Sequence, residues 1–254
     1  MTKLLLKKSI LNLRMLIVVV TSFLILLTSL FINGYIDFSN GIYGGGDLLN
    51  VYTVPFAMSS FVIFAGLFPG IPYAFSYLEE RNSGYLRFIQ LRMPRKKYAR
   101  QKIFFTGLSG GISMLLPAIF IFIVIDLLSV DETPDNKTAI FETLVWGPWM
   151  YVAGGRLVLF FKAILMFLFG VMWSELALLI SHIFRNKYVA FVMPFLIFEL
   201  TWILFPIPEL NPVLLIRGDF ELGTPLIFMY AVYLVYIALL VIANWIMFRR
   251  RGRK

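Results

Sequence analysis

Apolar residues along this chain come in blocks of about 20, the length needed to cross the hydrocarbon core of a bilayer as a helix. Six such blocks can be read: Met15 to Ile32, about Tyr52 to Ala74, about Ile103 to Leu127, Leu157 to Phe184, Val189 to Pro206 and Pro225 to Phe248. The pattern predicts an all-α integral membrane protein with six transmembrane helices. The first block carries no charge between Arg14 and Asp37. No small-residue cleavage site follows it closely, so it reads as a retained span and not a signal peptide. The polar segments between blocks are short, which predicts a single membrane domain over residues 1–254 with an N-terminal flank at 1–14.

Charge orients this arrangement. Lys3, Lys7, Lys8 and Arg14 precede the first block, and Arg249, Arg250, Arg251, Arg253 and Lys254 follow the last. Arg185 and Lys187 separate the fourth and fifth. Eight more cations lie between the second and third, so nineteen of the 23 Lys and Arg residues fall on one side. Asp131, Glu132, Asp135, Glu142, Glu209, Asp219 and Glu221 fall on the other. Cytoplasmic loops carry the excess of Lys and Arg, so both termini are expected in the cytoplasm. That places the protein in the plasma membrane as a multi-pass protein. A net charge of +9 would suggest nucleic acid as partner in a soluble chain; distributed this way, it indicates the bilayer instead.

Composition agrees, with 60% hydrophobic residues and a mean hydropathy of +0.84. The absence of cysteine excludes disulfides and thiolate metal sites, and His182 is the lone histidine, so no multi-histidine metal site can form. No HExxH or GxxxxGK[ST] pattern occurs, which removes the usual signs of a metalloprotease or an ATPase, and the one GxSxG match, Gly107-Leu108-Ser109-Gly110-Gly111, lies inside the third apolar block and not at the strand-to-helix turn a serine hydrolase needs. No catalytic residue, metal or cofactor is expected in this chain.

The outer loops are less regular. Asn33 to Asp47 is Gly-rich and expected to be irregular. Ser129 to Arg156 begins polar and ends aromatic, as a segment at the membrane interface would. The loop after the fifth block, PIPELNPVLLIRGDFELGTP, is expected to dip back as a short helix where protein covers its backbone. Gly107, Gly110 and Gly111 predict a smooth side on the third span for close helix packing. Pro69, Gly70 and Pro72 predict a kink near the inner end of the second.

Two sets of residues carry candidate function. Glu175 and Glu199 lie inside apolar blocks, where a carboxylate must face protein or water. His182 is seven residues from Glu175 and shares its helix face, as Ser174 does with Ser181. The set reads either as a polar wall along a translocation path or proton site, or as a buried interhelical contact. Lys162 is expected to snorkel to the outer interface.

The second set is YLEERNSGYLRFIQLRMPRKKYARQK, Tyr77 to Lys102, with eight cations and two acids. Asn82 or Ser83 can cap a helix starting near Gly84, and Pro94 stops it. Tyr85, Phe88 and Ile89 share one face of that helix, with Leu86 and Met93 beside them. A cytoplasmic helix of this kind can lie on anionic lipid or dock on a protein. Here the segment resembles the first cytoplasmic loop of ABC-2 type transporter permeases. The matching residues are Glu79, Glu80, Arg81, Gly84, Leu86, Pro94, Arg95, Tyr98 and Lys102. Gly84-Tyr85-Leu86-Arg87 stands where that family commonly has Gly-Thr-Leu-Glu.

The resemblance implies a half-size permease subunit of a bacterial ABC exporter, with a short cytoplasmic coupling helix between helices 2 and 3. It implies a cytoplasmic P-loop ATPase as partner, docked on Glu79, Glu80, Arg81, Gly84, Tyr85, Phe88, Ile89 and Arg95. ATP and Mg would sit on that subunit, and a second permease copy or a related permease would complete the path. Cargo of amphipathic peptides or other hydrophobic toxic compounds fits an apolar-aromatic interior. Glu175, His182 and Glu199 are the translocation-path candidates. The alternatives are a proton-coupled secondary transporter using Glu175 or Glu199, and a non-transporting immunity or scaffold membrane protein.

Overall fold

A computed structural model describes residues 2–32, 36–37, 41–42, 55–56, 59–128, 155–217 and 226–250. Most of the Asn33–Asp47 loop, nearly all of the Ser129–Arg156 loop and the last four residues lie outside the described residues. Among the described residues the regular structure is helical apart from one antiparallel pair of two-residue strands, β1 (Ile36–Asp37) and β2 (Gly41–Ile42). In order, the helices are α1 (Thr2–Ser9), α2 (Leu13–Ile32), α3 (Ser60–Phe64), α4 (Ser76–Asn82), α5 (Tyr85–Arg92) and α6 (Arg95–Leu128). They continue with α7 (Gly155–Ile183), α8 (Lys187–Leu204), α9 (Pro212–Arg217) and α10 (Leu226–Arg250).

Among the described residues, five helices are long and apolar enough to cross a membrane: α2, α6, α7, α8 and α10. Each lies within a few residues of an expected span, except that α6 begins eight residues before Ile103. Its 34 residues extend about 51 Å. A hydrocarbon core is about 30 Å thick, so the basic first turns of α6 project beyond it.

The second expected span is not one continuous helix. Its described part runs through α3, a 3₁₀ turn at Phe68–Gly70 and further turns before α4. Pro69 and Pro72 each remove a backbone donor, so an α-helix cannot run through FPGIP unbroken. Gly66 and Gly70 accept the resulting close approach: a side chain at Gly66 would collide with Phe198, and one at Gly70 with Ala177. This broken segment packs between α6 and α7 and is covered by protein, which is what irregular backbone at membrane depth requires.

At the centre, α7 touches α6, α8, α9 and α10. Its crossing with α6 rests on glycine. A Cβ on Gly110 would strike Ser174 and the Gly170 carbonyl, and one on Gly170 would strike Gly110. Small residues at such a crossing let two backbones approach, the main source of helix affinity where lipid removes the hydrophobic drive. Phe169, Trp173, Phe198 and Tyr233 then interlock edge-to-face across α7, α8 and α10.

The loop after α8 does turn inward. Val213 and Leu215 of α9 are fully buried. The exposed-carbonyl problem of the short helix is met by side chains: Tyr233 donates to the Pro212 carbonyl, and Tyr236 donates to Leu210 at 2.9 Å. Asn211 caps the turn, accepting from the Val213 amide at 3.0 Å and donating to the Thr201 carbonyl at 3.2 Å. Lys162 departs from expectation. It is buried within the protein, on the face of α7 that also carries Leu165, Met166 and Phe169.

Candidate functional site

The Tyr77–Lys102 segment folds as two short helices set against the base of α6. Gly84 joins them with φ +74°, a left-handed conformation that glycine adopts without steric cost. Met93 is extended (φ −142°, ψ 134°), as the residue before a proline tends to be, and Pro94 ends α5. The helix starts and stops where expected, but Gly84 itself takes the N-cap position without a side-chain cap, and Asn82 is used elsewhere. Glu79 and Glu80 belong to a helix of their own, α4.

Glu80 is 7% exposed and faces inward. The Tyr98 hydroxyl donates to its Oε2 at 2.6 Å, and Lys102 Nζ, 1% exposed, reaches the same oxygen at 3.1 Å. Lys102 also donates to Ser76 Oγ at 2.6 Å and lies 4.3 Å from the centre of the Tyr73 ring. Lys8 of α1 donates to Oε1 at 3.1 Å. Burial alone would push the Glu80 carboxyl up. The Lys102 ammonium, the Tyr98 hydrogen bond and Lys8 outweigh it and hold the group below its ordinary value. This carboxylate thus fastens α1, α4 and α6 together. Asn12 adds a strap between the α1–α2 turn and the broken segment, donating to the Pro72 carbonyl at 3.3 Å.

Arg81 points the other way. Its guanidinium donates to the carbonyls of Ser181 (3.3 Å), His182 (3.2 Å) and Phe184 (2.8 Å), the unfinished end of α7. A cation there answers both the orphan carbonyls and the helix dipole. Asn82 donates to the Arg185 carbonyl at 3.0 Å beside it. Glu79 is exposed and paired with Arg14 at 2.8 Å.

So α4 is anchored on three sides, while α5 is covered on one. Leu86, Ile89 and Met93 pack against Tyr77, Tyr98 and the α10 end. Tyr85, Phe88 and Leu91 are 54%, 63% and 84% exposed. The expected Tyr85–Phe88–Ile89 face is therefore split: Ile89 is inside, and Leu91 joins the two aromatic residues outside. Arg87, Arg92 and Arg95 are exposed around them, and Gly84 is half-buried at the junction.

Inside the membrane-spanning bundle, Glu175 of α7 meets α10. Asn244 Nδ2 donates to Glu175 Oε2 and to the Glu175 carbonyl, both at 2.9 Å. Gly107 of α6 lies on the carboxylate's other side, where an added Cβ would sit 3.2 Å from Oε1. One turn of α10 further on, Phe248 meets His182, whose buried ring lies 4.4 Å from it and 4.2 Å from the Tyr77 ring. Glu175 and His182 do share a face, and that face belongs to α10. Ser174 and Ser181 donate to carbonyls of their own helix, at Val171 and Ala177. Glu199 is half-exposed on α8 and takes no part in this contact.

A groove of about 710 Å³ opens beside Glu175, between α6, α7 and α10. Phe104, Leu108, Val171, Val241 and Trp245 give it apolar walls, and Arg100 stands at one end. Glu199 and His182 are not among its walls.

Asn244 was not foreseen, although a lone carboxamide in the apolar run VIANWIMF is the kind of residue that seeks a polar partner across a membrane interface. Lys8 was read only as a positive flank; its helix pattern gave no sign of a partner 72 residues away. No family model matches this chain, and no curated protein or solved structure matches it either.

Proposed function

We propose that this chain is the membrane-spanning permease subunit of an ATP-driven bacterial exporter, with α5 as the helix that engages a separate cytoplasmic ATPase. The observation that carries this reading is the pairing of an exposed apolar face, Tyr85, Phe88 and Leu91, with a rigid mounting behind it. Apolar side chains grouped on a helix among arginines suit a protein groove. The mounting suits force transmission: α5 is continuous through Gly84 with α4, which is tied to α6 through Glu80 and to α7 through Arg81. In this reading the broken segment counts as a second crossing, giving six crossings with both termini in the cytoplasm, and a second permease copy or a related one completes the path. The apolar-aromatic interior suits amphipathic peptides or other hydrophobic toxic compounds as cargo.

The test is recovery of tagged protein from its native membrane in mild detergent, with mass spectrometry of stoichiometric partners. A P-loop ATPase should co-purify, and Phe88→Asp should release it while leaving the fold intact. Phe88 is the suitable probe because Glu80 and Arg81 hold the fold together. A clean complex containing no ATPase would overturn the reading. It would favour a proton-coupled transporter, in which the Glu175–Asn244 contact beside the groove becomes the working site and Glu175→Gln abolishes uptake or efflux.

A further inference from the structure

We infer that the groove between α6, α7 and α10 is a seat for one anionic phospholipid, with an acyl chain along its walls and the phosphate held by Arg100 and Arg249. Three observations lead there. First, the groove is partly open and, apart from Arg100 and Glu175, is bounded by apolar side chains and Gly107 of three helices, which suits an apolar chain as occupant. Second, its depth is suitable: from Arg100 to Gly107 is seven residues along α6, about 10 Å, all of it apolar on the groove side.

Third, the mouth is cationic. Phe248 packs on Tyr98 with ring centres 5.9 Å apart, which brings that end of α10 level with the Arg100 turn of α6. Ile242, Trp245 and Arg249 lie on one stripe of α10, and the first two line the groove. Arg249 continues that stripe one turn beyond Trp245, outside the groove's lining and toward the end where Arg100 stands. Both are exposed, and among the described residues neither makes a salt bridge. Two uncommitted guanidiniums at the end of an apolar groove match a phosphate ahead of an acyl chain. Guanidinium binds phosphate through two parallel hydrogen bonds, and basic pockets between spans on the basic side of a membrane take anionic headgroups. A bound chain would also seal the Glu175–Asn244 contact from water, since that carboxylate forms part of the groove wall.

This inference does not rest on the ATPase reading. The test uses the full chain reconstituted in vesicles of equal parts phosphatidylglycerol and phosphatidylcholine, then extracted gently and weighed by native mass spectrometry. Wild type should retain one phosphatidylglycerol per chain in preference to phosphatidylcholine. Arg100→Gln and Arg249→Gln should each reduce that preference about fivefold. Arg87→Gln, an exposed cation on α5, should leave it unchanged. Val171→Trp should expel both lipids by filling the groove; Ile242→Trp, from an exposed position on the opposite wall, does the same should the first variant fold poorly. Retention of the two lipids in their vesicle ratio would overturn the proposal. So would undiminished retention after Ile242→Trp, or a cross-link through Trp245 showing a second copy of the chain in the groove.

Discussion

Two buried carboxylates in this molecule are treated in opposite ways. Glu80, at the basic end of the bundle, is surrounded by two ammonium groups and a phenol, all within 3.1 Å. Glu175, deep in the bundle, has one carboxamide and the edge of a glycine. The first is a neutralised cluster that joins segments far apart in sequence. The second is a single interhelical contact beside a groove. Glu80 can collect partners because the projecting base of α6 and the N-terminal helix both reach water, where charged side chains are cheap to supply. Glu175 lies among spans whose other residues must satisfy lipid, and a lone amide is what those spans provide.

The comparison breaks most visibly at Glu80. Replacement by alanine leaves Lys102 buried without its anion and should lower stability by about 3–5 kcal/mol. The double variant Glu80→Ala with Lys102→Met should recover most of that, because both charges go together. Unfolding in mild detergent measures both, and a double variant as weak as the single would mean that the cluster is not held by its charge balance.

The acid limb gives the next largest effect. The folded Glu80 carboxyl titrates below its unfolded value of about 4.3. Its stabilisation is therefore complete above that pH and is lost as pH falls through the folded value. Acid unfolding should flatten in Glu80→Gln and keep its wild-type steepness in Glu175→Gln.

Within the bundle the changes should be smaller. Asn244→Leu removes both hydrogen bonds to Glu175, and interhelical bonds in membrane proteins average about 0.6 kcal/mol, with a maximum near 1.7. A loss as large as that of Glu80→Ala would erase the distinction between the two sites. The smallest effect belongs to the outer face of α5. Phe88→Ser should alter stability by no more than about 0.5 kcal/mol. A larger loss would mean that this face is packed within the chain and not open to a partner.

The long helices were legible because lipid enforces them: an apolar run of span length has few other solutions, and α2, α6, α7, α8 and α10 follow their blocks closely. The glycine crossing was legible for the same reason, since Gly107, Gly110 and Gly111 have little purpose on a lipid-facing surface. The second block was misleading as a continuous helix. Its hydropathy is that of a span, but Pro69 and Pro72 govern its backbone, and the protein around it covers the break. The partners of Glu80 could not be read from the sequence. Pairing Lys8 with a residue 72 positions away depends on how α1 turns at Asn12, which no periodicity encodes. Lys162 misled for a related reason: a lysine near a helix end usually reaches outward, and only the position of α7 at the centre of the bundle turns it in.

The Arg81 cap on α7 also constrains how the molecule is built. Its acceptors lie 100 to 103 residues further along the chain. At synthesis rates of about 5–20 residues per second, the guanidinium waits roughly 5–20 seconds before those carbonyls exist. Until then Arg81 has no part of α7 to cap. The loop is thus fastened in two stages, first to α1 and α6 through Glu80 and only later to α7 through Arg81.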